Sequence, residues 1–172
     1  MHGLQETRRT RTLSLYAALL VTAAVVVAAD QITKSLALDK LASGPVDVIE
    51  GVLTLELTFN PGGAFGILQG VPNFFLIATI AIVIFILVWA RTARSPLWAL
   101  PLGLVLGGGL GNLIDRLWRD TDGKVVDFVN LQVWPVFNLA DSAISVGVIW
   151  LLIMSFRAEA HERAEHSSGE RA

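Results

Sequence analysis

The apolar positions fall into four long runs, separated by two polar excursions and a short basic turn. The first run, Leu13 to Ala29, follows a polar start carrying Arg8, Arg9 and Arg11, and its helical pattern continues through Asp30-Gln31-Ile32-Thr33-Lys34. Asp30 and Lys34 stand four residues apart, so a helix puts them on one face, where they can pair. Basic flank, apolar run and Val27-Ala28-Ala29 also imitate a cleavable signal peptide. The continuation past Ala29 favours a retained helix whose outer end carries polar groups. The other runs are Phe74 to Ala90, Leu97 to Ile114 and Leu139 to Phe156. Each approaches the roughly 20 residues that cross a bilayer. The third is rich in glycine from Gly103 onward, and glycines in a membrane helix let a second backbone come close.

The excursions read differently. Within 37–72, Val52-Leu53-Thr54-Leu55-Glu56-Leu57-Thr58-Phe59 alternates and is β-branched, as a strand does. Asn60-Pro61-Gly62-Gly63 then breaks it as a turn. Residues 115–138 form the second excursion. The pattern therefore predicts a mainly α membrane protein: four transmembrane helices (about 13–34, 74–90, 97–114 and 139–156), a small extracytoplasmic β-sheet module in 37–72, and a short extracytoplasmic helix or loop in 115–138. One integral membrane domain covers 1–156, and the charged tail 157–172 is expected to be disordered.

Composition strengthens this picture. Apolar residues make up 53% of the 172 positions, charged residues only 16%, and mean hydropathy is +0.61; a soluble domain carries about 25% charged residues. A net charge of −2 gives no reason to expect nucleic acid. The first flank, the Arg91–Arg94 turn and the tail hold eight of the thirteen basic residues, which places both termini in the cytoplasm by the positive-inside rule. The two excursions then face outward. Trp98, Trp118 and Trp134 lie near proposed span ends, as interfacial anchors do.

Candidate chemistry narrows by elimination. There is no cysteine, and His2, His161 and His166 all lie in the polar tails. This removes thiolate chemistry, a Ser-His-Asp triad and histidine-ligated zinc. Carboxylate chemistry remains, as does a serine-lysine pair built from Ser35 or Ser43 with Lys34 or Lys40. Asp115, Asp127 and Asp141 sit at or near the ends of apolar segments, where ionisable groups are expensive and read as functional. Asp127 and Asp141 are separated by a segment long enough to fold back and bring them together. Asn138 is placed to cap the helix that contains Asp141. Two close carboxylates share a proton and can activate water while polarising a carbonyl. In the bland alternative, Asp141 caps a helix, Asp127 sits in a solvated loop, Asp30 pairs with Lys34, and Asp115-Arg116 is an ion pair at a helix end. Asn112, one turn before Arg116, must find partners in its apolar helix. A proton or cation relay is a further alternative, although the middles of all four runs are apolar. So is a Mg²⁺-dependent phosphotransferase using Asp115, Asp127 and Asp141.

Five ordered motifs carry a resemblance: Asp30-Gln31-Ile32-Thr33-Lys34, Asn60-Pro61-Gly62-Gly63-Ala64-Phe65-Gly66, Gly107 to Arg116 (GGGLGNLIDR), Val125-Val126-Asp127-Phe128, and Phe137-Asn138-Leu139-Ala140-Asp141-Ser142. Together they resemble the lipoprotein signal peptidases, the type II signal peptidases of bacteria. The resemblance implies an aspartic endopeptidase of the cytoplasmic membrane, active at the outer face, without metal or other cofactor. Its substrates would be prolipoproteins, cut before a diacylglyceryl-modified cysteine, among membrane lipids; apart from the resemblance, nothing in the sequence requires more than a monomer. Asp127 and Asp141 match the catalytic aspartates. Asp30, Lys34, Asn60, Gly62, Phe65, Gly66, Asn112, Asp115, Arg116, Asn138 and Ala140 match positions that bind substrate or brace the site. The family's helix near the active site would fall in 115–137, and glycines 62, 63 and 66 would let a covering loop move.

Overall fold

A computed structural model describes residues 2–62, the helical positions Ile77, Ile80, Ala81, Ile82, Ile84, Phe85 and Val88, and residues 96–169, with side chains described between 12 and 160. Most of the second predicted run lies outside the described residues, as do Phe65 and Gly66.

Helix α1 spans His2–Lys40. It runs past Lys34 because Leu36, Ala37 and Leu38 are good helix formers, and it stops where Gly44 (φ 135°) and Pro45 cannot continue it. Strands β1 (Val46–Ile49) and β2 (Leu53–Asn60) form an antiparallel hairpin, with Gly51 at φ 71° in the turn. A 3₁₀ turn, Pro96–Trp98, leads into α2, Ala99–Trp118.

The second excursion departs from expectation. After Trp118 the described residues contain no helix before Leu139; they turn through Asp122 and Gly123 and form β3, Val125–Asn130. The physical reason lies in Val125, Val126, Phe128 and Val129, which favour a pleated surface, and in a ready partner, β2. The sheet order is β1-β2-β3, with Thr58 opposite Asp127 and Asn60 opposite Val125. The sheet is thus stitched from both excursions, not from 37–72 alone.

Helix α3 spans Leu139–Gly169. Helix therefore continues where a disordered tail was expected. Residues 157–168 contain no glycine or proline, and their alanines, glutamates and arginines favour a helix.

At one end, Leu15, Leu19 and Ala23 of α1 pack on Ala99, Leu102, Val105 and Leu106 of α2. The glycines act as contact points between helices: a Cβ at Gly107 would lie 2.7 Å from the Ala23 carbonyl oxygen, and one at Gly147 2.8 Å from the Pro101 carbonyl oxygen. The stretches Thr12–Lys40 and Leu139–Ala160 are long and apolar enough to cross a membrane. Their outward faces expose Leu20, Val21, Val25, Ile149, Leu152 and Ile153, a surface suited to lipid. Trp118 and Trp134 are also exposed, whereas Trp98 packs partly against the core.

Candidate active site

The buried polar groups gather beyond that apolar core, from Asp30 on α1 and Asn112 on α2, towards the end of α1 that leads into the sheet. Lys34 is their hub and is 0% exposed. Its ammonium meets Asp30 Oδ2 at 2.9 Å, Asp115 Oδ2 at 2.8 Å and Asn112 Oδ1 at 2.9 Å. Three donors meet three acceptors, which is what a buried lysine requires. The two aspartates pass this order on to neighbouring elements. Asp30 Oδ1 accepts from the Ala140 backbone N–H at 3.0 Å, tying the start of α3 to α1. Asp115 Oδ2 accepts from the Val126 N–H at 3.1 Å, tying β3 to α2. The expected Asp30–Lys34 pair is present. Asp115, however, pairs with Lys34 and Arg119 and not with its neighbour Arg116.

Asp127 and Asp141 lie beyond this hub, each held by asparagine. Asn60 Nδ2 donates to Asp127 Oδ2 at 2.9 Å, and Asn138 Nδ2 donates to Asp127 Oδ1 at 2.7 Å. Asn112 Nδ2 donates to Asp141 Oδ1 at 2.8 Å, and the Asn138 backbone N–H donates to Asp141 Oδ2 at 3.2 Å. In return, Asn138 Oδ1 accepts from the Asp141 N–H at 2.9 Å. Asn138 is therefore the N-cap and Asp141 the reciprocating partner three residues on, as in a capping box. The structural role of Asp141 in the cap coexists with its place in the site. Asn60 likewise does two jobs, since its Oδ1 accepts from the Gly62 N–H at 2.9 Å. Gly62 sits at φ 124°, a conformation that suits glycine, and this local turn aims the Asn60 amide at Asp127.

Asp127 is 1% exposed. Burial pushes its carboxyl up to about 7, and the Asp141 charge adds to the rise, while the Asn60 and Asn138 amides and then Lys34 pull it back. Asp141 is only half-buried. The pair thus combines one desolvated carboxyl with one more accessible to water.

Arg116 lies close enough to Asp141, Asp127 and Asp115 to feel all three charges. Its Nη1 donates to the Asn112 carbonyl at 3.3 Å, while its buried Nε has no partner among the described residues. Ala140 is fully buried, and its carbonyl oxygen faces Gly108 closely enough that a Cβ there would collide. The serine-lysine alternative loses its geometry: Lys34 is saturated, Lys40 is exposed beside Asp39, and Ser35 donates to the Gln31 carbonyl. A three-aspartate metal site is disfavoured because Asp115 is turned into the Lys34 and Arg119 pairs. Gln31 and Arg119 complete the network and were absent from the sequence expectation. Gln31 Nε2 meets Asp30 and Asp115, and Arg119 Nη2 meets Gln31 Oε1 at 2.7 Å. The i,i+4 spacing of Asp115 and Arg119 was the available signal.

Known proteins share this arrangement of chain. A family model described as "Signal peptidase (SPase) II" matches residues 22–157. A lipoprotein signal peptidase of Rhodococcus jostii is 46% identical over 141 residues, covering 80% of this chain and 71% of the relative. Another, from Halothermothrix orenii, is 38% identical over 137 residues, covering 78% and 92%. Two solved structures, each described as a bacterial membrane enzyme, superpose with TM-scores of 0.73 and 0.68 at 31% and 32% identity. They cover 84% and 80% of this chain and 91% and 92% of their own. Fold and relatives together define a membrane protease of bacterial type. Within that class, the chain belongs to the signal peptidase II family, the lipoprotein signal peptidases.

Proposed function

We propose that Asp127 and Asp141 are the catalytic pair of an aspartic endopeptidase that frees prolipoproteins of their signal peptides. The observation that carries this reading is a buried and a half-buried carboxyl hydrogen-bonded to one residue, Asn138, whose side-chain amide donates to Asp127 and whose backbone N–H donates to Asp141. With its carboxyl raised to about 7, Asp127 is poised between its two forms near neutrality. The ionised member takes a proton from water, the water oxygen attacks the scissile carbonyl, and the protonated member donates to the developing oxyanion. Collapse of the tetrahedral intermediate returns a proton to the leaving amine. Arg116, with its unpartnered Nε, is placed to hold a substrate carbonyl. Asp30, Lys34, Asn60, Gly62, Asn112, Asp115, Asn138 and Ala140 brace the site.

The cut falls before a diacylglyceryl-modified cysteine. A lipid-anchored substrate keeps that bond at the bilayer surface, and the site lies at one end of apolar helices, where such a bond arrives. Four spans put both termini in the cytoplasm and the site at the outer face. The enzyme works as a monomer on substrates delivered within the membrane, and it needs no metal. The test is turnover of a lipidated prolipoprotein by Asp127→Asn and Asp141→Asn, with and without a chelator. Both variants should lose activity by at least about 10³-fold, on the scale of lost general acid–base catalysis, and the parent should ignore the chelator. Full activity in either variant overturns the pair, and chelator sensitivity replaces it with metal chemistry.

A further inference from the structure

The three asparagines around the carboxylates raise a question of direction. An asparagine amide can rotate by half a turn with almost no change of shape, but the rotation exchanges a donor for an acceptor. Asn138 is fixed by backbone: its Oδ1 accepts from the Asp141 N–H, and its Nδ2 reaches the Val126 carbonyl at 3.3 Å. Asn60 is fixed by the Gly62 N–H. The Asn112 side chain meets no backbone group among the described residues. Its Oδ1 takes hydrogen bonds from Lys34 Nζ at 2.9 Å and Asn138 Nδ2 at 3.0 Å, and its Nδ2 faces Asp141.

We propose that Lys34 is a positioning residue that sets the polarity of the Asn112 amide and, through it, keeps a donor on Asp141. An ammonium can only donate, so it admits only the oxygen of Asn112. A hydrogen bond from a charged donor is roughly twice as strong as one between neutral groups, so of the two donors on Oδ1 Lys34 holds the amide more strongly than Asn138. Because Lys34 is also saturated by Asp30 and Asp115, it cannot turn away to another acceptor. With the amide reversed, Asn112 would aim a carbonyl oxygen at Asp141 and oppose its ionised form. Lys34 touches no reacting atom, yet it decides how one member of the pair is supported. This role rests on the catalytic reading of Asp127 and Asp141.

The test is a double-mutant cycle in turnover. Lys34→Met alone strands the buried Asp30 carboxylate, so the variant of choice is Lys34→Met with Asp30→Asn, which leaves Asp115 paired with Arg119 and the cluster neutral. Asp30→Asn alone is its control. The second arm is Asn112→Leu, measured alone and in combination. Lys34→Met/Asp30→Asn should lower kcat by roughly tenfold or more relative to Asp30→Asn, and most of that loss should vanish in the Asn112→Leu background, since linked residues are not additive. The pH profile supplies the second readout. The charged groups facing Asn112 and Lys34 are Asp30 on α1, Asp115, Arg116 and Arg119 on α2, Asp127 on β3 and Asp141 on α3. The acid limb of kcat should move upward in Lys34→Met/Asp30→Asn and stay put in Lys34→Arg, which still only donates. Additive losses with an unmoved acid limb overturn the proposal. Activity in Asp127→Asn or Asp141→Asn, measured alongside, would instead overturn the catalytic reading, so the two failures are distinguishable.

Discussion

Replacing Asn60 with alanine removes one of the two amide donors that Asp127 accepts. A hydrogen bond to a charged group contributes about 1.5–3 kcal/mol, and each pKa unit is about 1.36 kcal/mol. Loss of the bond therefore disfavours the ionised carboxylate by about 1–2 units. Asn138 remains in place, and water can enter the vacated space, so the lower end, about 1 unit, is expected. The direction is fixed by the charge: Asn60 lowers the Asp127 pKa, so its removal raises it further above about 7. The assay is kcat/KM for a lipidated prolipoprotein in proteoliposomes from pH 5 to 10, which reports the free enzyme. The alkaline limb, a property of the pair, should shift upward by about one unit in Asn60→Ala. Asn60→Asp retains an acceptor for the Gly62 N–H but replaces the donor with a third carboxylate, and it should shift the limb further. A limb that stays in place or moves down in both variants would refute the reasoning.

Other outcomes follow from the same geometry. Asp127 has a folded pKa near 7 against about 3.9 unfolded, so its protonated form stabilises the fold at low pH and that stabilisation is lost as pH rises through 7. Asp127→Asn should therefore be more stable than the parent at pH 8, by at most on the order of 4 kcal/mol, with little gain at pH 4. Thermal unfolding at the two pH values decides this, and equal shifts would contradict it. Gly111→Ala places a Cβ 2.5 Å from Asp30 Oδ2, so it should cost about 1–3 kcal/mol and depress turnover by loosening Ala140 from Asp30. A variant with parent-like melting and turnover would show that the contact is slack.

Local signals in the sequence carried much of this. The Asp30–Lys34 spacing, the Asn138 cap and the β-branched run of β2 each depend on residues a few positions apart, and each appears in the structure. The glycines before Asp115 likewise read as packing positions and are. What escaped was non-local. β3 is recognisable as a strand chiefly through pairing with β2, so its residues were assigned to a helix or loop. The contact of Asn60 with Asp127 needs that non-local pairing; the local Gly62 turn only orients the amide once β3 is in place. Arg116 and Arg119 compete for Asp115 on sequence grounds, and only the packing of α1 against α2, which brings in Lys34 and Gln31, decides for Arg119.

The split origin of the sheet governs when the enzyme comes into being. β1 and β2 emerge early from the growing chain, but Asp127 and its strand follow α2, and Asp141 comes later still. Asn60 has no carboxylate to hold, and β2 lacks its β3 partner, until the second excursion has joined the sheet. Loop closure over such separations is slow compared with local helix formation. A partly synthesised chain thus holds Asp30, Lys34 and Asn60 without either member of the pair. On the proposed catalytic reading, the pair is completed only with α3, so a chain that stops short of that helix lacks one or both of its carboxylates.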